Sequence, residues 1–306
     1  MIIDVHAHLN PMEWSNERPA AMFDVEAYVE AQRDTGVDLT VFSNPMIGRL
    51  PHLDLRTLDK IRRFHDFAAE VVSRYPENLA AFADAVPFAG DAFLEETVRA
   101  IKELGFKGAY VNSSVEGEYL DSPRAYPFYE QMCKMDVPVY VHPPGGTLGD
   151  QWMKEFRLVE MVGRPCDTTL SLARLIYFGV LEKYPGLKLV CAHLGGAITM
   201  FAGRLDSGYL ARHINGFGPW GPDVLTKKPS EYVKMLYVDT VCWHQPALMC
   251  ALQTVGEDHV VFGTDNPPVK HPPLGDSVGL IKNLPVSEGV KKKIFSENAK
   301  RVLHLR

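Results

Sequence analysis

Short runs of β-branched and apolar residues recur along the chain, each followed by a longer stretch in which apolar residues return every three or four positions. This alternation predicts βαβ units and a parallel sheet. Eight strands are predicted, over 2–6, 37–43, 79–86, 106–112, 137–142, 187–193, 235–240 and 260–265. Helices are predicted between them, among others over 25–35, 58–74, 93–104, 169–183 and 246–255. Gly36, Pro76, Gly105, Pro185 and Gly256 stand just after such stretches and just before the next strand, where a helix must stop and the chain turn back. The repetition covers the whole chain without a linker, a low-complexity segment or a short repeat. It therefore predicts one α/β domain over 1–306, a (β/α)8 TIM barrel. The competing architecture is an open doubly wound sheet. That fold usually carries a Gly-rich phosphate turn after the first strand, whereas here the first strand runs into HAHLN.

In a barrel the loops after all eight strands gather at one end, so chemistry is expected at the strands' C-terminal tips. His6 and His8 end the first strand, and side chains two apart on a strand share a face, so both rings can reach one ion. A single HxH is a weak signal, since two polar residues at a strand end explain it equally well. The signal sharpens because the fifth strand ends at His142, the sixth at His193 and the eighth at Asp265. Imidazoles and a carboxylate at the same end of one barrel predict a site for one divalent ion. Three imidazoles and one carboxylate suit Zn²⁺, with Mn²⁺ the alternative, and leave a position for water or substrate. His193 is either a fifth ligand or an unligated general base. The remaining histidines, His52, His65, His213, His244, His259, His271 and His304, fall in loops, on helices or at the wrong strand end, and are expected as surface or capping residues. His244 and His271 are the possible exceptions, because they follow strands seven and eight.

Charge and composition narrow the partners. The net charge of -6 is spread thinly, and the longest basic run, Lys291 to Lys293, offers no track for a phosphate backbone, so nucleic acid is not expected. The opening MIIDVHAHLN lacks a basic region followed by a long apolar stretch, and no segment approaches the roughly 20 apolar residues of a membrane span. Five cysteines without a CxxC pair are expected as reduced thiols. Together these features predict a soluble, cytoplasmic protein.

HxH after strand one, HP after strand five, AHLGG after strand six and GTDNP after strand eight resemble the amidohydrolase superfamily. The stretch VGRPCDTTLSLARLIYFGVLEKYPGLKLVCAHLGGAITMFAGRLDSG at 162–208, with YVDTV at 237–241 and GTDNPP, is similar to the branch named for α-amino-β-carboxymuconate-ε-semialdehyde decarboxylase. The resemblance implies a mononuclear, metal-dependent, non-oxidative decarboxylase of a small unsaturated or aromatic carboxylic acid. The alternative it leaves open is a hydratase or hydrolase that uses the same metal-activated water on a C=C bond, lactone or amide. It implies His6, His8, His142 and Asp265 as metal ligands, and His193 and Asp265 as catalytic residues. One metal is implied, because the bridging lysine of binuclear relatives has no counterpart: strand four ends YVNSS, and Lys107 lies at its opposite end.

The sequence departs from the branch where substrate is held. The loop after strand one, 11–23, is short and contains only Arg18. Arg212, in GYLARHING, is similar to a family arginine that reaches a neighbouring subunit, which implies a homodimer; surface ion pairing accounts for it equally well. Trp152 and Arg157, after strand five, complete the expected substrate-binding residues, although Trp152, Arg157 and Glu160 do not reproduce the family's aromatic pattern there. Gly195 and Gly196 allow either an anion approach to backbone N–H groups or a tight strand-to-helix turn.

Overall fold

The computed structural model describes residues 1–17, 22–44, 53–214, 224–267 and 273–305. Eight strand-then-helix pairs follow one another. The strands are β1 (Ile3–His8), β2 (Leu39–Ser43), β3 in two pieces (Leu79–Ala81 and Ala83–Asp84), β4 (Ala109–Asn112), β5 (Val139–His142), β6 (Leu189–Cys191), β7 (Tyr237–Asp239) and β8 (Val260–Val261). The helices that follow them are α1 (Val25–Thr35), α2 (Leu55–Arg74), α3 (Asp91–Lys102), α4 (Tyr126–Met135), α5 (Arg164–Tyr177), α6 (Ile198–Leu210), α7 (Gln245–Val255) and α8 (Leu274–Lys282). None of the described helices is long and apolar enough to cross a membrane.

Neighbouring strands pair in parallel from β1 to β3 and from the second piece of β3 to β8. The break inside β3 is bridged at Phe82, whose N–H donates to Phe42 O at 2.9 Å while Ala83 N–H turns to Gly108 O at 2.9 Å. The last strand meets the first through Val5 N–H to Phe262 O at 3.0 Å and Asp265 N–H to His6 O at 2.8 Å. The ring of eight strands is thus joined by backbone hydrogen bonds all the way round, as the alternation predicts.

Within β1 the pairing register shifts between Asp4 and Ala7. Such an extra residue changes which parity of side chain faces inward. Ile3 and Val5 pack with Phe82, Tyr110, Tyr140 and Val261, and His6 and His8 then turn toward the same tyrosines. Ala7 and Leu9 pack outward beneath α1 and α2. The outer helices bury one stripe each: α2 buries Leu58, Ile61, Phe64, His65, Ala68 and Val71, the spacing of an amphipathic face. It begins at Leu55 rather than 58 because the Asp54 side chain accepts the N–H groups of Arg56 and Thr57 and caps the first turn. The helix expected over 169–183 is two helices. Gly179, at φ +74°, ends the first and leads into Val180–Lys183, while a π-helical turn at Val159–Gly163 carries the start back to Arg164.

Candidate functional site

At the C-terminal end of the strands, ligating atoms of His6, His8, His142 and Asp265 lie within 4.8 Å of one another. The His6, His8 and His142 ring centroids are 4.9 to 5.1 Å apart. Each of these imidazoles is anchored from outside through Nδ1. His6 Nδ1 bonds Asp239 Oδ2 at 2.7 Å, His8 Nδ1 meets Ser43 Oγ at 3.1 Å, and His142 Nδ1 meets Pro143 O at 2.8 Å. A carbonyl only accepts, so in neutral His142 the proton sits on Nδ1 and the Nε2 lone pair is left over. His6 Nε2 is buried and finds no hydrogen-bond partner; Asp265 Oδ1 stands 3.4 Å from it and 3.3 Å from His8 Nε2.

Asp265 and His193 are held in strained backbone. Both lie beyond their strands, with φ +58° and +54°, a region that costs a non-glycine residue energy and is found most at functional positions. The sixth strand stops at Cys191, two residues short of the predicted end, because His193 belongs to the turn that follows. Its Nε2 is 3.4 Å from Asp265 Oδ2. Gly263 lets the eighth strand approach: a Cβ there would sit 3.0 Å from the Cβ atoms of both His6 and Asp239.

Two carboxylates give the cluster its electrostatic bias. Burial disfavours a charged His6, yet Asp265 and Asp239 outweigh it and raise its pKa to about 10. Burial likewise opposes the Asp265 anion, but the charge of His6 and the close approach of the His193, His6 and His8 rings hold it well below the usual carboxylate range. His142 is pushed down by burial and by the neighbouring imidazoles, so it stays neutral. An orphaned buried imidazole nitrogen, further rings anchored by Nδ1 and a carboxylate kept ionised form a donor set that fits one divalent cation. Lys107 lies at the far end of β4, away from this cluster, where its backbone N–H is tied to Ala81 O.

Asp239 was not singled out by sequence reasoning. It is fully buried, accepts from His6 Nδ1 and from Tyr140 OH at 2.8 Å, and takes the Val241 N–H at 3.0 Å. Its signal was present in YVDTV, as a carboxylate at a strand tip beside those of His6 and Asp265.

The cluster opens into a cavity of about 400 Å³. His8, His142, Asp265 and His193 form its floor; Pro143, Met161, Val241 and Trp243 give apolar wall, and Arg157, Arg164 and Glu160 bring charge. Of the expected substrate-binding residues, Arg157 lines this cavity. Trp152 is 78% exposed in the turn after β5 and lies outside the lining. Arg212 follows α6, where Nη1 donates to Tyr209 O at 2.9 Å and the guanidinium covers the Tyr209 ring. Arg18 lies outside the described residues, as do His52 and His271. His244 is exposed just before α7. His65, expected at the surface, is instead fully buried on α2 and bonded to Glu96.

Known proteins resemble this chain in sequence and in fold. The chain is 27% identical over 340 residues to a 2-amino-3-carboxymuconate-6-semialdehyde decarboxylase of Dictyostelium discoideum, covering 99% of this chain and 91% of that one. Its fold matches the crystal structure of a 5-carboxyvanillate decarboxylase from Sphingomonas paucimobilis with TM-score 0.88 at 22% identity, over 100% of this chain and 99% of that one. It also matches a dihydroxybenzoic acid decarboxylase from Polaromonas sp., solved with manganese and 2-nitroresorcinol, with TM-score 0.84 at 24% identity, over 99% and 97%. The family model described as amidohydrolase matches residues 3–305, and with so nearly complete a match the chain belongs to the amidohydrolase family.

Proposed function

We propose that this protein is a metal-dependent, non-oxidative decarboxylase of a small unsaturated or aromatic carboxylic acid. The observation that carries the reading is the convergence of His6, His8, His142 and Asp265, with His193 beside them, at the base of one cavity that is also lined by the guanidinium groups of Arg157 and Arg164. The decarboxylases similar to it in sequence and fold support the same reading. His6, His8, His142 and Asp265 would hold one ion, Zn²⁺ by the nature of the donors, with Mn²⁺, the ion of the Polaromonas structure, as the alternative. Bound there, a divalent cation supplies Lewis acidity that draws negative charge off the substrate as CO₂ departs.

The chain's own residues do the rest. The Pro143, Pro144 and Trp243 side chains in the cavity lining favour a flat acid. Loss of CO₂ leaves an electron pair on carbon, which must collect a proton. The proton starts on His193, 3.4 Å from Asp265, and passes through the ionised Asp265 carboxylate, which faces the cavity, to that carbon. Arg157 draws the anionic substrate to the mouth. The same reading takes the working unit as a homodimer in a reducing cytoplasm, with Arg212 directed at the neighbouring subunit.

The test is CO₂ release from a panel of muconate-type and hydroxybenzoate-type acids by Zn²⁺-loaded, Mn²⁺-loaded and metal-stripped protein, run in ¹⁸O-water. Metal-dependent CO₂ is expected. Product that keeps all its carbon and gains ¹⁸O would identify a hydratase or hydrolase instead.

A further inference from the structure

Helix α5 carries two arginines with opposite circumstances. Arg174, in its last turn, is paired with Asp121 through Nε at 2.6 Å and Nη2 at 2.8 Å. The guanidinium of Arg164, the first residue, makes neither an ion pair nor a hydrogen bond with any described residue, and its Nε is buried without a partner. The carboxylates within one helical turn do not claim it. Asp167 is taken by Ser113 Oγ at 2.5 Å, Ser114 Oγ at 3.0 Å and Tyr119 OH at 2.9 Å. Glu160 lines the same cavity without pairing to it. A cation at a helix N-terminus also works against the helix dipole. Half-buried, unpaired and badly placed for stability, this guanidinium has an open ligation demand that the folded chain leaves unmet.

The demand faces the site. Arg164 lines the cavity together with His8, His142 and Asp265, and at about 400 Å³ that space holds a single small ligand able to touch both. Its position relative to His193 is built in. Gly196, at φ +67°, packs so closely on the first turn of α5 that a Cβ would sit 2.2 Å from Pro165 O and 2.4 Å from Thr169 Oγ1. Ala197 N–H donates to that Thr169 hydroxyl at 2.8 Å. The two glycines after His193 therefore serve close packing of the His193 loop against the helix that carries Arg164.

We infer that Arg164 receives a second carboxylate of the substrate, remote from the one that is lost, so that the site selects small planar dicarboxylates over monocarboxylates. This rests on the cavity being the acid-binding site proposed above. One carboxylate lies over the floor, where Asp265 can reprotonate the carbon it leaves, and the other closes a forked hydrogen-bonded pair with the guanidinium.

The test is calorimetric binding of benzoate and of isophthalate, its 1,3-dicarboxylate, to Mn²⁺-loaded protein, wild type against Arg164→Met and Arg164→Gln. Hydrogen bonds to a charged group set the expected size: isophthalate should bind wild type roughly 10- to 100-fold more tightly than benzoate. Both variants should lose that preference while keeping their Mn²⁺ stoichiometry and their affinity for benzoate. Equal binding of the two acids by wild type, or variants that weaken both alike, would overturn the assignment. If no acid yields CO₂ but the Arg164-dependent preference is present, the decarboxylase reading falls and Arg164 keeps its role; CO₂ release without the preference does the reverse.

Discussion

Two buried histidine–carboxylate pairs in this protein have the same local geometry and opposite meanings. His6 Nδ1 is 2.7 Å from Asp239, and His65 Nδ1 is 2.7 Å from Glu96. Both rings are buried, and both leave an Nε2 without a hydrogen-bond partner. Around His65 no set of ligating groups converges among the described residues, and Phe64 and Phe106 flank the ring. Glu96 is already engaged by Arg99 through two contacts at 2.9 Å and by Arg62 at 3.4 Å. Burial lowers the His65 pKa, so that ring stays neutral. Around His6 two carboxylates face several imidazoles, and its pKa rises instead to about 10. A buried pair is therefore no sign of chemistry by itself. Donors that converge on a cavity with spare negative charge are the distinguishing feature.

Substitutions on the two sides should separate them. His142→Ala removes a proposed ligand, and metal affinity should fall by well over the roughly 10- to 100-fold typical of outer-shell changes, with activity lost alongside; chelator competition measures it. His193→Ala should lower kcat by about 10² to 10⁴ with metal stoichiometry intact. Metal loss in that variant would make His193 a ligand rather than a base. Asp239→Asn keeps the shape but removes the charge behind His6, and should weaken metal binding about 10- to 100-fold.

Glu96→Gln, on the other side of the comparison, should leave metal affinity and kcat unchanged and act on stability alone. Although burial would raise it, hydrogen bonds from His65 and Arg99 hold the Glu96 pKa near 2, below its ordinary 4.5. A depressed carboxylate pKa contributes stability above the unfolded value that is lost as pH falls through the folded one. The variant should be destabilised at neutral pH, and the two proteins' urea midpoints should converge as pH drops from 4.5 toward 2.

The barrel was legible in the chain because strand and helix periods alternate eight times, and the donors were legible because they stand at strand tips. What escaped lay where no period constrains a side chain. Asp239 sits in a short strand whose pattern shows a carboxylate but not which imidazole it will anchor. Arg164 lies inside a stretch read as loop, because the π turn that starts α5 has no sequence rhythm of its own. His65 has a polar residue's identity at a core-facing helical position, and only Glu96, 31 residues on, explains it. The long segment between β5 and α5 shows the same limit in Trp152 and Arg157, which are five residues apart, the first in solvent and the second on the cavity.

The central claim is that one ion sits among three imidazoles and Asp265, and the most direct measurement of it is electron spin-echo spectroscopy on protein titrated with Mn²⁺. The account predicts saturation at one Mn²⁺ per chain with imidazole nitrogen couplings that diminish in His142→Ala. Saturation at two ions, or one bound ion without imidazole coupling, would contradict it.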